Sequence, residues 1–396
     1  MGNAVQYLIG KLGGDRYIWL VVLGLSLFSI LAVYSSTGSL SFKEQGGNTE
    51  YYVIKHTAIL LMGIGFMYLS HLIPYKYYSR ISQILLWLSV PLLIYTLFFG
   101  VNLNDASRWI VLPVINLTFQ TSDLARFALI MYTARILSKK QHKVESFKEA
   151  FVPVILPVAI VCALIFPANL STAAILFFTC MLIMFVGRVK FSYILLTFLS
   201  GVVLIASIIG LSYLLPGVGR LDTWQNRVET FLDENREEPD QVRYAKIAVA
   251  KGGILGQGPG NSTQRHFLPH AYSDFIYAVI IEEYGLVGGL VLIVLFLVLL
   301  YRCIRIVVYA PTSFGALLAI GLGLSLTIQA LVNMGVASSL FPVTGLTLPL
   351  ISMGGTSLWF TSLSFGIILS VSRQVEMLEK QKEGQLPEDE QVEEIE

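Results

Sequence analysis

The sequence predicts an all-α integral membrane protein with about ten transmembrane helices. Three observations lead there. Of 396 residues, 55% are apolar and only 13% are charged, whereas a soluble domain carries roughly 25% charged residues. Mean hydropathy is +0.69. The apolar residues also gather into runs close to the ~20 residues that a helix needs to cross a bilayer.

The candidate spans lie at 17–34, 53–71, 81–100, 123–137, 151–167, 171–187, 191–215, 275–301, 310–337 and 351–372. The first is of full spanning length and no small-residue cleavage site follows it. It reads as a transmembrane helix and internal insertion signal, not as a cleavable leader. The fourth to sixth are short, and only Pro167-Ala168-Asn169-Leu170 joins the fifth to the sixth. No internal repeat relates the two halves, which argues against an inverted-repeat transporter. Segment 216–272 is a long loop between helices seven and eight, in which Gln241 to Ala250 has helical spacing. From Glu376 the chain is rich in Glu, Lys and Gln. The division expected is therefore a membrane domain at 1–375 and a solvated, partly disordered tail at 376–396.

Lys and Arg in the short loops set the orientation. With the N-terminus inside, the inner segments hold Lys11, Arg16, Lys76, Arg80, Arg135, Lys139, Lys140, Lys143, Lys148, Arg188, Lys190, Arg302, Arg305, Arg373, Lys380 and Lys382. The short outer loops hold only Lys43, Lys55 and Arg108. Both termini are thus expected in the cytoplasm. A net charge of +1 gives no reason to expect nucleic acid. Cys162, Cys180 and Cys303 lie far apart in apolar segments and read as packing residues. The five histidines show no metal-ligand spacing.

Polar groups at membrane depth are costly, so they are the informative positions. Three outer regions collect them. In the first, Asn104 to Trp109 precedes Gln120-Thr121-Ser122-Asp123 and Arg126. Asp123 and Arg126 share a helix face and can pair, as a cap or as part of a site. In the second, the glycine-rich run Gly252 to Ser262 precedes Arg265, Asp274, Glu282 and Glu283. Such glycines suit a flexible loop or a close backbone approach to a ligand such as phosphate. The acids suit helix N-terminal charges singly, but three in ten residues suggest more. In the third, Asn333-Met334-Gly335, Pro342 to Pro349 and Ser352 to Ser357 suggest irregular backbone at membrane depth, which must be buried in protein or line a cavity. Together these regions predict one polar cavity open to the outside.

These strings resemble the SEDS family (shape, elongation, division and sporulation) of bacterial membrane proteins, over nearly the whole chain. The family's Arg-Trp-Ile before Gln-Pro-Ser-Glu-x-x-Lys resembles Arg108-Trp109-Ile110 and Gln120-Thr121-Ser122-Asp123-x-x-Arg126. Its Pro-Asp-Leu-Gly-Thr resembles Ala168-Asn169-Leu170-Ser171-Thr172. Its Gly-x-Gly-x-x-x-Ser-x-x-Lys is similar to Gly256 through Ser262 to Arg265. Its Leu-Pro-Glu-x-His-Thr-Asp-Phe and Glu-Glu-x-Gly resemble Leu268 to Phe275 and Glu282-Glu283-Tyr284-Gly285. Its closing motifs are matched at Asn333-Met334-Gly335, Pro342 to Gly345 and Leu348 to Gly355. Asn169 replaces an Asp, and His270 and Tyr272 replace Glu and His, which leaves Asp274 as the only carboxylate of its string. Arg126 and Arg265 replace Lys and keep the charge, with a fork suited to phosphate or carboxylate.

The resemblance implies a peptidoglycan glycosyltransferase of the bacterial inner membrane, closest to the division branch, with the elongation branch as the alternative. It implies polymerisation of lipid II at the outer face, with Asp274 as general base and inversion at the anomeric carbon. The implied substrate-binding residues are Arg108, Trp109, Gln120, Ser122, Asp123, Arg126, Ser262, Arg265, Glu283 and Ser352. Among them Arg108, Arg126 and Arg265 would balance the pyrophosphate charge. Trp109 would stack on a sugar or prenyl chain, or serve as an interfacial belt residue. A divalent cation, Mg or Mn, is a further possible element, with no ligand set identified. The implied partners are lipid II, undecaprenyl-pyrophosphate-linked glycan, a class B penicillin-binding protein, other divisome proteins and membrane lipid. A lipid II flippase and a non-enzymatic division scaffold are the rival readings.

Overall fold

The computed structural model describes residues 13–38, 40, 48–103, 106–112, 117–214, 221–232 and 238–382. Twelve α-helices appear among them. They are α1 (Arg16–Ser36), α2 (Thr49–Leu72), α3 (Lys76–Phe99), α4 (Thr121–Lys139), α5 (Val152–Ile165) and α6 (Leu170–Val186). After them come α7 (Phe191–Leu214), α8 (Leu221–Leu232), α9 (Asp240–Gly252), α10 (Ile276–Tyr309), α11 (Ser313–Ala337) and α12 (Thr356–Lys382). A π-helical turn, Phe147–Phe151, leads into α5.

Each of the ten expected segments contains a helix, although the last one begins only at Thr356, after an irregular stretch at 351–355. By length and composition, seven described helices suffice to cross a membrane: α1, α2, α3, α5 with its π turn, α7, α10 and α11. α6 is apolar but shorter, at 17 residues. α4 and α12 are less apolar because protein surrounds them. Every residue of α4 from Thr121 to Met131 is buried, so its polar groups meet protein instead of lipid. The last helix runs to Lys382, past the expected boundary at 375. Residues 383–396 lie outside the described residues.

Side-chain caps start several helices where the sequence offers them. Asp15 Oδ1 accepts from Tyr17 N at 2.9 Å, and Thr312 Oγ1 accepts from Gly315 N at 3.2 Å. Asn169 Oδ1 accepts from Thr172 N at 3.3 Å and so starts α6 directly after the tight re-entry. Asn caps a helix about as well as Asp, which accounts for the missing charge in that motif.

At one end of the bundle the start of α1 meets α10 and α12, and α12 meets α2. Arg302 is paired with Asp15, Gly14 N donates to Glu376 Oε2 at 2.7 Å, and Arg373 Nη2 donates to Leu72 O at 3.1 Å. α2 and α12 run in close contact. A Cβ on Gly366 would collide with Ser70 Oγ and Met67 O, and one on Gly63 would lie 2.7 Å from Ser362 Oγ. Small residues at such crossings let backbones approach where lipid offers no hydrophobic drive.

The opposite end carries the irregular chain. The loop expected between α3 and α4 contains a three-stranded antiparallel sheet, β1 (Val101–Leu103), β2 (Ala106–Leu112) and β3 (Leu117–Gln120), in the order β1-β2-β3. Trp109 pairs with Gln120 and Ile110 with Phe119. In the long loop, the helix expected at Gln241 to Ala250 is α9, and α8 precedes it. α10 is not one continuous helix. Gly285 breaks it with φ 69° and ψ −172°.

Candidate functional site

Asp274 lies in the turn just before α10 and is half-buried. Its segment is held through three successive carbonyls. Tyr272 O accepts from Met353 N at 2.9 Å. Ser273 O accepts from Ser352 Oγ at 2.6 Å. Asp274 O accepts from Asn333 Nδ2 at 2.9 Å, and the same amide group donates to Leu346 O at 2.6 Å. The Pro/Gly-rich string before α12 thus grips the backbone that carries Asp274. Leu350 within that string takes the left-handed φ of 63°. Such a conformation costs a non-glycine residue about 1–3 kcal/mol, so the surrounding contacts must hold it.

A second arm comes from the start of α4. Gln120 N donates to Thr356 Oγ1 at 3.2 Å, and Gln120 Nε2 donates to Ser122 Oγ at 3.0 Å. Asp123 and Arg126 form the expected pair, with Arg126 Nη2 3.6 Å from Asp123 Oδ1. The pair is interior, at 5% and 8% exposure. Arg126 Nη1 also donates to Gln329 Oε1, and Gln329 Nε2 donates to Thr347 O at 2.8 Å. Gln329 and Asn333 are one turn apart on α11 and share a face. Through them α11 ties Arg126 on one side to Asp274 on the other. Trp109 reaches this arm by its register with Gln120. Arg108 precedes it in β2, with its side chain outside the described residues.

The structure therefore brings Trp109, Gln120, Ser122, Asp123, Arg126, Ser352 and Asp274 around the ends of α11 and α12. One buried acceptor there, Asn333 Oδ1, has no hydrogen-bond donor among the described residues. Its capacity suits a hydroxyl or amide donor. Gln329 belongs to this network and no motif of the sequence singles it out. Its signal is the i, i+4 spacing to Asn333 within an apolar helix. Gln329→Leu leaves a buried Arg126 N–H without its partner. It is expected to cost about 1–3 kcal/mol, read as a lower melting temperature in detergent with the helix content unchanged.

The third arm is a latch. Glu282 and Glu283 are fully buried, at 0% and 1% exposure. Glu282 accepts from Ser262 Oγ, from Thr263 N at 3.1 Å, from Thr263 Oγ1 at 3.0 Å and from Gln264 N at 3.2 Å. Glu283 Oε1 accepts from Ser262 N at 3.2 Å and from Ser35 Oγ, with Arg265 Nη1 4.0 Å away. Arg265 Nη1 reaches α1, donating to Ser35 O at 3.2 Å and Ser35 Oγ at 2.9 Å. Ser262 and Glu283, expected among the substrate contacts, are thus engaged with each other inside the protein. Arg265 is the partly exposed member of the group.

The glycine run packs its backbone against α10. Gln257 N and Gly258 N donate to the carbonyls of Glu282 and Glu283, each at 2.9 Å. Leu286 N and Val287 N donate to Gly253 O and Ile254 O at 2.9 and 3.2 Å. The close backbone approach that glycine permits is made to the break in α10. The amides of Thr263 and Gln264, which would suit an anion, already serve Glu282.

The sequence matches the FtsW/RodA/SpoVE family of cell cycle proteins over residues 15–377. The probable peptidoglycan glycosyltransferase FtsW of Geobacter metallireducens is 35% identical over 366 residues, covering 90% of this chain and 94% of that protein. Stage V sporulation protein E of Bacillus subtilis is 30% identical over 370 residues, covering 92% and 98%. Two solved structures share the fold. One is a chain from a study of polymerization and crosslinking by a peptidoglycan synthase complex, with a TM-score of 0.72, 24% identity and coverage of 91% and 98%. The other is the rod shape determining protein RodA of Thermus thermophilus, with a TM-score of 0.64, 22% identity and coverage of 91% and 97%. With its helices, its motifs in order and relatives matched almost end to end, this multi-pass chain belongs to the FtsW/RodA/SpoVE family of cell cycle proteins.

Proposed function

We propose that this chain is a peptidoglycan glycosyltransferase that polymerises lipid II at the outer face of the cytoplasmic membrane during septal wall synthesis. The observation that carries the proposal is the fixed segment of Asp274, a lone carboxylate in its motif, in a chain 35% identical to a protein named for that activity.

The acceptor is the 4-hydroxyl of a GlcNAc on lipid II, a poor nucleophile at neutral pH. Asp274 takes its proton as the oxygen bonds to the anomeric carbon of the donor. The bond from that carbon to pyrophosphate breaks with inversion, and undecaprenyl pyrophosphate leaves. Because attack and departure occupy opposite faces, one carboxylate suffices and no covalent enzyme intermediate forms. The leaving group needs charge balance more than a proton. Arg108 and Arg265 are the proposed donors, while Arg126 orders the wall behind them. Trp109 supports a sugar or prenyl chain.

A divalent cation, Mg or Mn, would rest mainly on the pyrophosphate. Among the described residues no three His, Cys, Asp or Glu side chains gather as a cage, and Mg commonly needs only one or two carboxylates beside substrate phosphates. The step above does not run through it. Both termini lie in the cytoplasm in this proposal, by the distribution of Lys and Arg. A class B penicillin-binding protein is the proposed partner, in line with the complex whose chain shares this fold.

The test is purified chain with its cognate class B transpeptidase and lipid II in detergent. Glycan polymer is the expected product. A flippase yields none, because flipping needs two compartments and forms no bond. Arg108→Ala is expected to lose about 100-fold in polymerisation, as for one removed charge-stabilising donor, at normal expression. Unaltered activity reduces Arg108 to a loop residue.

A further inference from the structure

A buried polar chain reaches the segment of Asp274 from behind, through residues outside every site motif. His56 of α2 and Ser29 of α1 are 1% and 0% exposed. His56 Nε2 lies 2.7 Å from Ser29 Oγ, and Ser29 Oγ donates to Ile351 O at 2.9 Å. Ser29 has one hydroxyl proton and Ile351 O can only accept. With the Ser29 proton directed to Ile351 O, the bond between Ser29 and His56 is one that the imidazole Nε2–H donates. Its Nδ1 has no hydrogen-bond partner among the described residues. A histidine buried in this way makes a single directed bond, and that bond orients Ser29.

Ile351 sits in a tight turn. Ile351 N and Ser352 N both donate to Leu348 O, at 3.2 and 3.0 Å. Leu348 N donates to Ser352 Oγ at 2.7 Å, and Ser352 Oγ in turn donates to Ser273 O at 2.6 Å. Leu350, one residue before Ile351, has the left-handed φ of 63°. The turn therefore has a conformation that it would not hold by itself, and it orients the hydroxyl that fixes the residue before Asp274.

We propose that His56 is a positioning residue for the glycosyl transfer, acting through Ser29 on the 348–352 turn and so on the placement of Asp274. This rests on the assignment of Asp274 as the base. His56 touches no substrate. Its removal frees Ser29 to rotate, loosens the Ile351 carbonyl and shifts the aspartate.

The experiment compares His56→Leu, His56→Gln, Ser29→Ala and a double variant that combines His56→Leu with Ser29→Ala. Each is purified with the transpeptidase and assayed on lipid II. Misplacement of a reacting group by ~1 Å can cost ~100-fold. His56→Leu and Ser29→Ala are each expected to lower turnover about tenfold or more, with KM within about twofold. His56→Gln, whose amide can donate in place of Nε2–H, is expected to restore most of the loss. The double variant is expected to be no worse than either single one, because both break one chain.

Amide hydrogen exchange over residues 348–353 gives a readout independent of activity. It is expected to quicken in His56→Leu and to return in His56→Gln. Parental turnover and parental exchange in His56→Leu overturn the proposal, as do fully additive losses. Should His56→Leu fail to accumulate, Ser29→Ala carries the same test. A parent protein that makes no polymer overturns the glycosyltransferase reading and with it the catalytic part of this proposal, and the exchange measurement then decides whether His56 holds the 348–352 turn.

Discussion

Asp274→Asn is expected to abolish lipid II polymerisation while the protein folds and purifies as the parent does. Asn has nearly the same shape and keeps the backbone carbonyl that accepts from Asn333 Nδ2. The carbonyls of Tyr272 and Ser273 keep their donors as well. What disappears is the ability to take a proton from the acceptor hydroxyl. A positioned base contributes about 10²–10⁴-fold, so turnover is expected to fall by that factor with lipid II binding little changed. Asp274→Glu retains the carboxylate but displaces it by about one methylene. It is expected to recover only part of the rate, since geometry counts for as much as basicity in such a step. Polymerisation by Asp274→Asn within about threefold of the parent, far short of that factor, sinks the base assignment. It does not sink the glycosyltransferase reading, which would then need another base.

The membrane helices are legible because the bilayer imposes a length and a composition on them. α4 shows where that signal weakens. Its apolar run, 123–137, is short because Asp123 and Arg126 occupy its first turns, and the structure supplies them with each other and with Gln329 in the protein interior. The Asp123–Arg126 pair is legible from i, i+3 spacing alone. Its third member is not, because Gln329 lies 203 residues from Arg126 and only the fold brings them together. Strands β1 to β3 carry the β-branched and aromatic residues that favour strands, yet three short strands between two spanning helices leave little periodicity to read. Asp274 and Ser352 are legible as polar residues among Pro and Gly. That one holds the backbone next to the other depends on a hydrogen bond between segments 79 residues apart. For the glycine run, close backbone approach is legible from the residue type, while the identity of the approaching group is not.

That group makes Gly285→Ala the substitution with the largest expected effect on stability. At Gly285 the chain leaves the helical conformation. The carbonyls of Glu282 and Glu283 turn out to take the amides of Gln257 and Gly258, and the amides of Leu286 and Val287 take the carbonyls of Gly253 and Ile254. A Cβ on Gly285 would overlap Ile254 O and lie 2.5 Å from Gly256 N. Reciprocally, a Cβ on Gly256 would overlap Glu283 O and lie 2.6 Å from Gly285 N. Both neighbours are backbone, so neither can swing aside. The backbone conformation of Gly285, φ 69° with ψ −172°, lies in a region that essentially only glycine occupies and alone costs another residue about 1–3 kcal/mol. Prising the segments apart loses up to four backbone bonds, each worth about 0.5–1.5 kcal/mol net. It also uncovers the carboxylates of Glu282 and Glu283, which the same loop satisfies. The sum passes the ~4–5 kcal/mol that marks exceptional substitutions. Gly285→Ala and Gly256→Ala are each expected to lose most of the folded protein recovered in detergent. Gly260→Ala is the control. Its φ is +78° and no atom lies within 4 Å of its would-be Cβ, so only the conformational cost of about 1–2 kcal/mol applies. Melting temperatures of the three variants decide the matter. Equal losses at positions 285 and 260 would mean that the loop and the helix break part without cost, and that Glu282 and Glu283 hold the latch without the glycines.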